Sequence, residues 1–207
     1  MSNNLKELTR AHHDSAERTE FADMLLSGNI KPKLYQEYLH AQLQNYMVLE
    51  SAVDIDASLE PIFRSTLMED DLNELEILYN LDEVEDNFQS VVEYNHHIQT
   101  LIEDDKKDAL LAHLYVRHFG DAHGGQIIKK NIPGQGLMYE FEDRPGLIKQ
   151  VRELLHDGME DEAKICFEYA ERLFVELMEK YLDSPEEYLS EEVLLARVNG
   201  QDDYDDE

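Results

Sequence analysis

The chain has 207 residues, enough for one sizeable core and short of two ordinary domains. Its 47 acidic and 18 basic residues give a formal charge of −29, which repels nucleic acid and anionic membrane with no basic stripe to reverse it. Hydrophobic residues make up 42%, so the acidity does not signal a disordered chain, and no apolar run reaches the ~18 residues of a membrane span.

In chain order, the N-terminus MSNNLKELTRAHHD lacks an apolar signal core. Leu5, Leu8, His12 and Ala16 lie on one face of a first helix. Pro32 stands where a helix can begin, and Tyr35, Leu39, Gln42, Tyr46, Leu49 and Val53 follow at helical spacing. Weaker helical patterns cover 62–81 and 84–103. A stronger one runs over 105–131 and stops at Pro133-Gly134. After a loop through Arg144-Pro145-Gly146 come a helix over 147–155 and a long amphipathic one carrying Ala163, Cys166, Ala170, Leu173, Leu177 and Tyr181. Cys166, the only cysteine, falls on the apolar stripe of that helix, so it reads as core rather than nucleophile. A lone cysteine also excludes an intrachain disulfide and suits a reducing compartment. Nothing alternates with period two. The expectation is an all-α, single-domain bundle of about seven helices over 1–182, soluble and cytoplasmic with no membrane anchor. Residues 183–207 hold ten acidic residues against Arg197 alone and read as a flexible, solvated tail. The segment 69–86 carries nine acidic residues and no Lys or Arg, and reads as a solvated face.

Two local constellations could carry chemistry. The first is Tyr115-Val116-Arg117-His118-Phe119-Gly120-Asp121-Ala122-His123-Gly124-Gly125-Gln126, inside a strong helical pattern. Three interior glycines weaken a helix by roughly 2–3 kcal/mol. What offsets that cost is something only bare backbone permits: a kink, close packing on a neighbouring helix, or a flat ligand lying on the main chain. Asp121 adds a carboxylate in the same turn. The second is Lys6, Arg10, His13 and Glu17, spaced 4, 3 and 4 along one stripe of the first helix. A histidine there, with two cations N-terminal to it, suits a ligand that is both metal-bearing and anionic, and equally an ordinary solvated face. A di-iron carboxylate bundle is a third reading, because Glu37–His40, Glu93–His96 and Glu153–His156 each have the Glu-x-x-His spacing. No phosphate loop, Cys-x-x-Cys pair or G-x-S-x-G elbow is present. The neighbours His12-His13 and His96-His97 point ~100° apart on a helix, too far to share one ion.

Together the two constellations resemble the haem oxygenase family. The stretch Tyr115 to Lys130 is similar to that family's distal-helix signature, Y-x-R-x-x-G-D-x-x-G-G-Q-x-x-K-K. Leu5-Lys6-Glu7-Leu8-Thr9 followed by His13-Asp14-Ser15-Ala16-Glu17 is similar to its proximal pattern, and the likeness continues through 45–50 and 168–177. The resemblance implies a helical fold that holds haem b, as substrate and cofactor, between a proximal and a kinked distal helix. It implies His13 as the proximal iron ligand, rather than His12, with Glu17 beside it to fix the imidazole. Gly120 and Gly124 would let the distal helix approach the haem face, with Gly125 supporting the kink and Tyr115 lining the site. Asp121, rather than His123, would hold the waters that deliver protons, with Tyr46 and Arg117 in the same hydrogen-bond network. Lys6, Arg10 and Arg152 would meet the propionates, although the lysine usual one turn before that arginine is here Ile148. The implied activity opens haem to biliverdin, most simply the IXα isomer, with carbon monoxide and ferrous iron released. It uses O2 and an external electron donor such as ferredoxin, with a bilin reductase downstream. An acidic ferredoxin would need a local basic patch, for which Lys129, Lys130, Lys149 and Arg152 are available. A non-haem enzyme on the same architecture, like the thiaminase-like relatives, stands as the alternative.

Overall fold

The structure, a computed structural model, describes residues 4–84, 87–183 and 185–188. Within them every regular element is helical. The acidic tail expected over 183–207 lies almost wholly outside the described residues. Among the described residues no helix is long and apolar enough to cross a membrane.

The first helix of the sequence reading is two short ones, α1 (Leu5–Leu8) and α2 (Arg10–Glu17), and an unanticipated third, α3 (Glu20–Ser27), follows. Thr9 interrupts the first pair and turns its hydroxyl back onto the Leu5 carbonyl, 2.9 Å away. Thr19 caps α3 by accepting from the Ala22 N–H. Gly28 ends α3 at φ +78°, a left-handed conformation that glycine adopts without strain. The periodicity missed α3 because its turns are too few to show a clear repeat.

The remaining helices follow the expected order: α4 (Pro32–Glu50), α5 (Ser65–Tyr79), α6 (Gln89–Glu103), α7 (Lys107–Leu114), α8 (Gly120–Ile128), α9 (Arg144–Leu154) and α10 (Glu160–Asp183). Pro32 opens α4 and Asp143 caps α9 through the Gly146 N–H. Helices α7 and α8 are one rod, joined by a π-helical segment over Tyr115–Phe119. The departure from α geometry therefore precedes the glycines, and Gly120 itself has ordinary helical angles. The wider turn just ahead of the glycines is a feature often found at functional sites.

Helices α4 and α10 are the shared walls of the core. One cluster packs Phe21, Leu34, Tyr35, Leu39, Met68, Leu75, Tyr139, Leu173 and Leu177 between α3, α4, α5 and α10. A second packs Leu49, Ile62, Tyr94, Ile98, Leu110, Leu114, Val151 and Cys166 between α4, α6, α7, α9 and α10. Cys166 is buried, as its stripe predicts. A small third cluster seats Leu5 of α1 against Ala112 and Tyr115 of the rod and Ala163 of α10. It fixes where the N-terminal helices begin to run beside the rod.

Candidate functional site

The N-terminal helices and the α7–α8 rod touch at two places. At one, Leu5 packs on Tyr115. At the other, the Asn131 side chain donates to the Leu26 carbonyl, 2.6 Å away, at the end of α3. In sequence, His13 and Glu17 fall between these contacts on the N-terminal side, and the glycines of α8 fall between them on the rod.

His13 is half exposed, and its Nδ1 lies 3.5 Å from Glu17 Oε2 and 3.9 Å from Asp14 Oδ1. A carboxylate beside Nδ1 fixes the ring and leaves Nε2 as the metal-binding nitrogen. On its other side the ring meets Phe167 of α10 edge-on, at 5.8 Å between centroids. Nothing in the sequence marked Phe167, since an aromatic on a long amphipathic helix reads as core. His12 turns away towards α10, with its Nε2 3.6 Å from Glu168.

The three glycines do different things. A Cβ added at Gly120 or Gly124 would meet no atom within 4 Å. One added at Gly125 would strike the Tyr139 ring, 2.3 Å from its Cδ1. Gly125 therefore answers to close packing, against a turn that Asp71 pins by accepting from the Leu137 and Met138 N–H groups at 2.7 and 2.9 Å. Gly120 and Gly124 press on no neighbouring side chain, and their bare backbone faces open space.

Asp121 sits between those two open positions. The Tyr46 hydroxyl, from α4, donates to its Oδ2 at 2.5 Å. Burial pushes the Asp121 carboxyl up to about 7, against the opposing pull of Tyr46, Arg64 and Arg117. A carboxyl that titrates near neutrality can both give and take a proton. Behind it, Arg117 is buried, bonds Gln42 Oε1 at 2.7 Å and stacks over the Tyr94 ring at 4.1 Å. Tyr46 also stacks on His118, whose Nε2 lies 2.7 Å from Glu50 Oε1. Glu50 in turn accepts from the Arg64 and Ser65 N–H groups, closing the start of α5. The sequence reading assigned no role to Gln42, Glu50 or His118, because each acts through a contact between helices distant in the chain.

Cations gather around His123. Burial lowers the His123 imidazole first, and then the charges of Arg152, Lys6 and Arg144 lower it further. Arg152 approaches His123 Nε2 at 3.3 Å and lies over the Phe119 ring. Arg144, which opens α9, was not anticipated. Arg10 is exposed and pairs with Glu7 of α1 at 3.7 Å and with Asp14 of its own helix at 4.0 Å. Tyr115 is buried and packs on Phe119.

The di-iron alternative does not assemble. Glu37 is taken by Lys180 and Tyr188, Glu93 by Arg172, and His156 by Asp108. Among the described residues none of these pairs joins a metal-binding cluster.

Among the described residues the chain is an all-α, multi-helix protein. The chain belongs to the haem oxygenase family, whose model, described as Heme oxygenase, matches residues 1–186. Heme oxygenase 2 of Rattus norvegicus is 27% identical over 208 residues, which cover 86% of this chain and 65% of that relative's length. The heme oxygenase of Guillardia theta is 28% identical, over 88% of this chain and 90% of its own. Heme oxygenase-1 of the cyanobacterium Synechocystis, solved in complex with heme, superposes with a TM-score of 0.73 at 23% identity, covering 88% of this chain and 94% of that one. The heme oxygenase of Leptospira interrogans gives 0.71 at 24% identity, covering 83% and 96%. At these identities the structural likeness speaks for the fold.

Proposed function

We propose that this protein is a haem oxygenase that cleaves protohaem to biliverdin, the IXα isomer, with release of carbon monoxide and ferrous iron. The observation that carries this reading is the open space over the bare backbone at Gly120 and Gly124, which flank Asp121; the half-exposed His13 is the candidate iron ligand.

Haem is the substrate, and its iron supplies the redox chemistry that O2 and an external electron donor drive. His13, steadied by Glu17 and Phe167, offers Nε2 to the iron. Lys6, Arg10, Arg144 and Arg152 supply positive charge for the propionates, and that charge sets which edge of the ring faces inwards. Open positions at Gly120 and Gly124 let α8 lie against the opposite face, and a side chain at either would reach into the space the ring needs. Asp121, held by Tyr46 and titrating near 7, stores a proton at its carboxyl and returns it to the adjoining waters. Arg117 and Gln42 hold the far end of this network rigid. With Ile148 where the family places a lysine, the clamp leans on Arg152 and Arg144.

The donor we infer is a small acidic redox protein of the ferredoxin type, meeting the cationic mouth around Arg144, Lys149 and Arg152. A bilin reductase would then take the product, in the cytoplasm, a setting that suits the single cysteine, free and buried.

The test is titration of the haem-free chain with hemin, followed by reduction in air. A stoichiometric Soret band that gives way to a bilin spectrum is expected. His13→Ala should fold normally, because the side chain is exposed, and should lose the band. A Soret band of the same intensity and position in His13→Ala would sink the assignment.

A further inference from the structure

Away from the cleft, three elements distant in sequence bring two imidazoles and a carboxylate to one point. His97 comes from α6, His113 from the last turn of α7 and Glu162 from the first turn of α10. The Nε2 atoms of His97 and His113 lie 3.0 and 3.2 Å from the same atom, Glu162 Oε2. One donor atom from each of the three residues falls within 4.8 Å of the others. We propose that His97, His113 and Glu162 form a binding site for a divalent first-row transition ion of the zinc class, separate from the haem cleft.

The donor set is the first argument. Two imidazole nitrogens and one carboxylate oxygen suit borderline ions such as zinc and leave positions open for water. Ligands held at about 2.0–2.2 Å from such an ion stand roughly 3 Å apart, the spacing seen here.

Burial is the second. His113 is fully buried, and its Nδ1 has no hydrogen-bond partner although the Cys166 thiol lies beside it. Without an ion, both imidazoles must crowd their Nε2 protons onto one carboxylate oxygen. The buried Nδ1 of His113 is then a bare acceptor facing at best a weak S–H donor. With an ion on Nε2, Nδ1 keeps its proton and can give it to the sulfur, the kind of outer contact that orients a ligating histidine. The rings are already braced, His113 by Tyr94 at 5.4 Å and His97 by Tyr169 at 5.9 Å.

Access is the third. His97 and Glu162 keep 24% and 26% side-chain exposure. Glu162 also lines a surface groove with Leu101, Lys106, Ala109 and Asp161, which gives an ion a way in from solvent.

Cobalt(II) is the probe, added to the full chain in physiological salt with excess magnesium to occupy the exposed carboxylates. A single ion per chain with the visible bands of histidine coordination is expected, and zinc should displace it. His97→Ala should weaken cobalt binding at least ~tenfold while leaving the metal-free melting midpoint and hemin binding unchanged. Glu162→Gln, which keeps the hydrogen-bonding shape and loses the charge, should weaken it as well and serves if the first variant does not fold. His13→Ala should leave cobalt binding unaltered. Absence of such bands in the wild type, equal affinity in His97→Ala and Glu162→Gln, or loss of binding in His13→Ala instead would overturn the proposal.

Discussion

Replacing Asp121 with asparagine keeps the size of the side chain and an acceptor for Tyr46, and removes only the ability to ionise. The carboxyl ionises near 3.8 in an unfolded chain and near 7 in the folded protein, because burial disfavours its charged form. Between those values the folded state holds a proton that the unfolded chain has released, so stability falls as pH rises through that window. Above it, the full difference amounts to about 4 kcal/mol. Asparagine has no such dependence, but its neutral bond to Tyr46 forgoes about 1 kcal/mol relative to a charged acceptor. The variant should therefore match or fall slightly below the wild type in acid. It should gain steadily as pH rises from 3.8, and above 7 should exceed it by about 3–4 kcal/mol. Urea unfolding of the haem-free protein across that range reads this directly. A difference that is constant with pH, or that favours the wild type in alkali, would refute the raised carboxyl. In turnover, Asp121→Asn should bind hemin as before and form bilin about 10²- to 10⁴-fold more slowly, the usual worth of a positioned acid–base group. Undiminished bilin formation would remove Asp121 from the proton path.

The two neighbouring glycines should separate in the same assays. Gly124→Ala meets nothing, so it should stabilise the haem-free protein by about 0.5–1 kcal/mol through helix propensity while weakening hemin binding. Gly125→Ala drives its methyl into Tyr139 and should cost about 1–3 kcal/mol in urea melts; a neutral outcome would mean that Tyr139 yields freely. Glu50→Gln should destabilise by about 1–3 kcal/mol. Burial raises the Glu50 carboxyl, but hydrogen bonds from His118 and Ser65 outweigh this and hold it below its ordinary value. The difference between Glu50→Gln and wild type should thus be full above about 4.5 and shrink as pH falls, and melts that show no shrinkage would contradict it. Arg152→Ala combined with Arg144→Ala should weaken hemin binding more than Arg10→Ala does, since Arg10 already pairs with Glu7 and Asp14. Equal effects in titration would argue against a clamp on α9.

What the chain's own order determined is whatever depends on neighbours in sequence. The helical period of α4, the α7–α8 rod and α10 is written in residues three and four apart, so those elements were legible. So was the stripe that sets His13 beside Glu17 and turns His12 away, and so was the density of glycine around Asp121. Three glycines in one stretch look alike in sequence. Only the packed structure separates Gly125, pressed on Tyr139, from Gly120 and Gly124, which face open space. The π-helical turn over Tyr115–Phe119 also escaped, because a wider turn leaves no signature in a run of mixed polar and apolar residues. Arg144 at the mouth, Phe167 against His13, and the meeting of His97, His113 and Glu162 are tertiary facts of the same kind. Each joins side chains from helices whose relative placement is set by how α4 and α10 bury their faces, and no spacing along the chain encodes that placement.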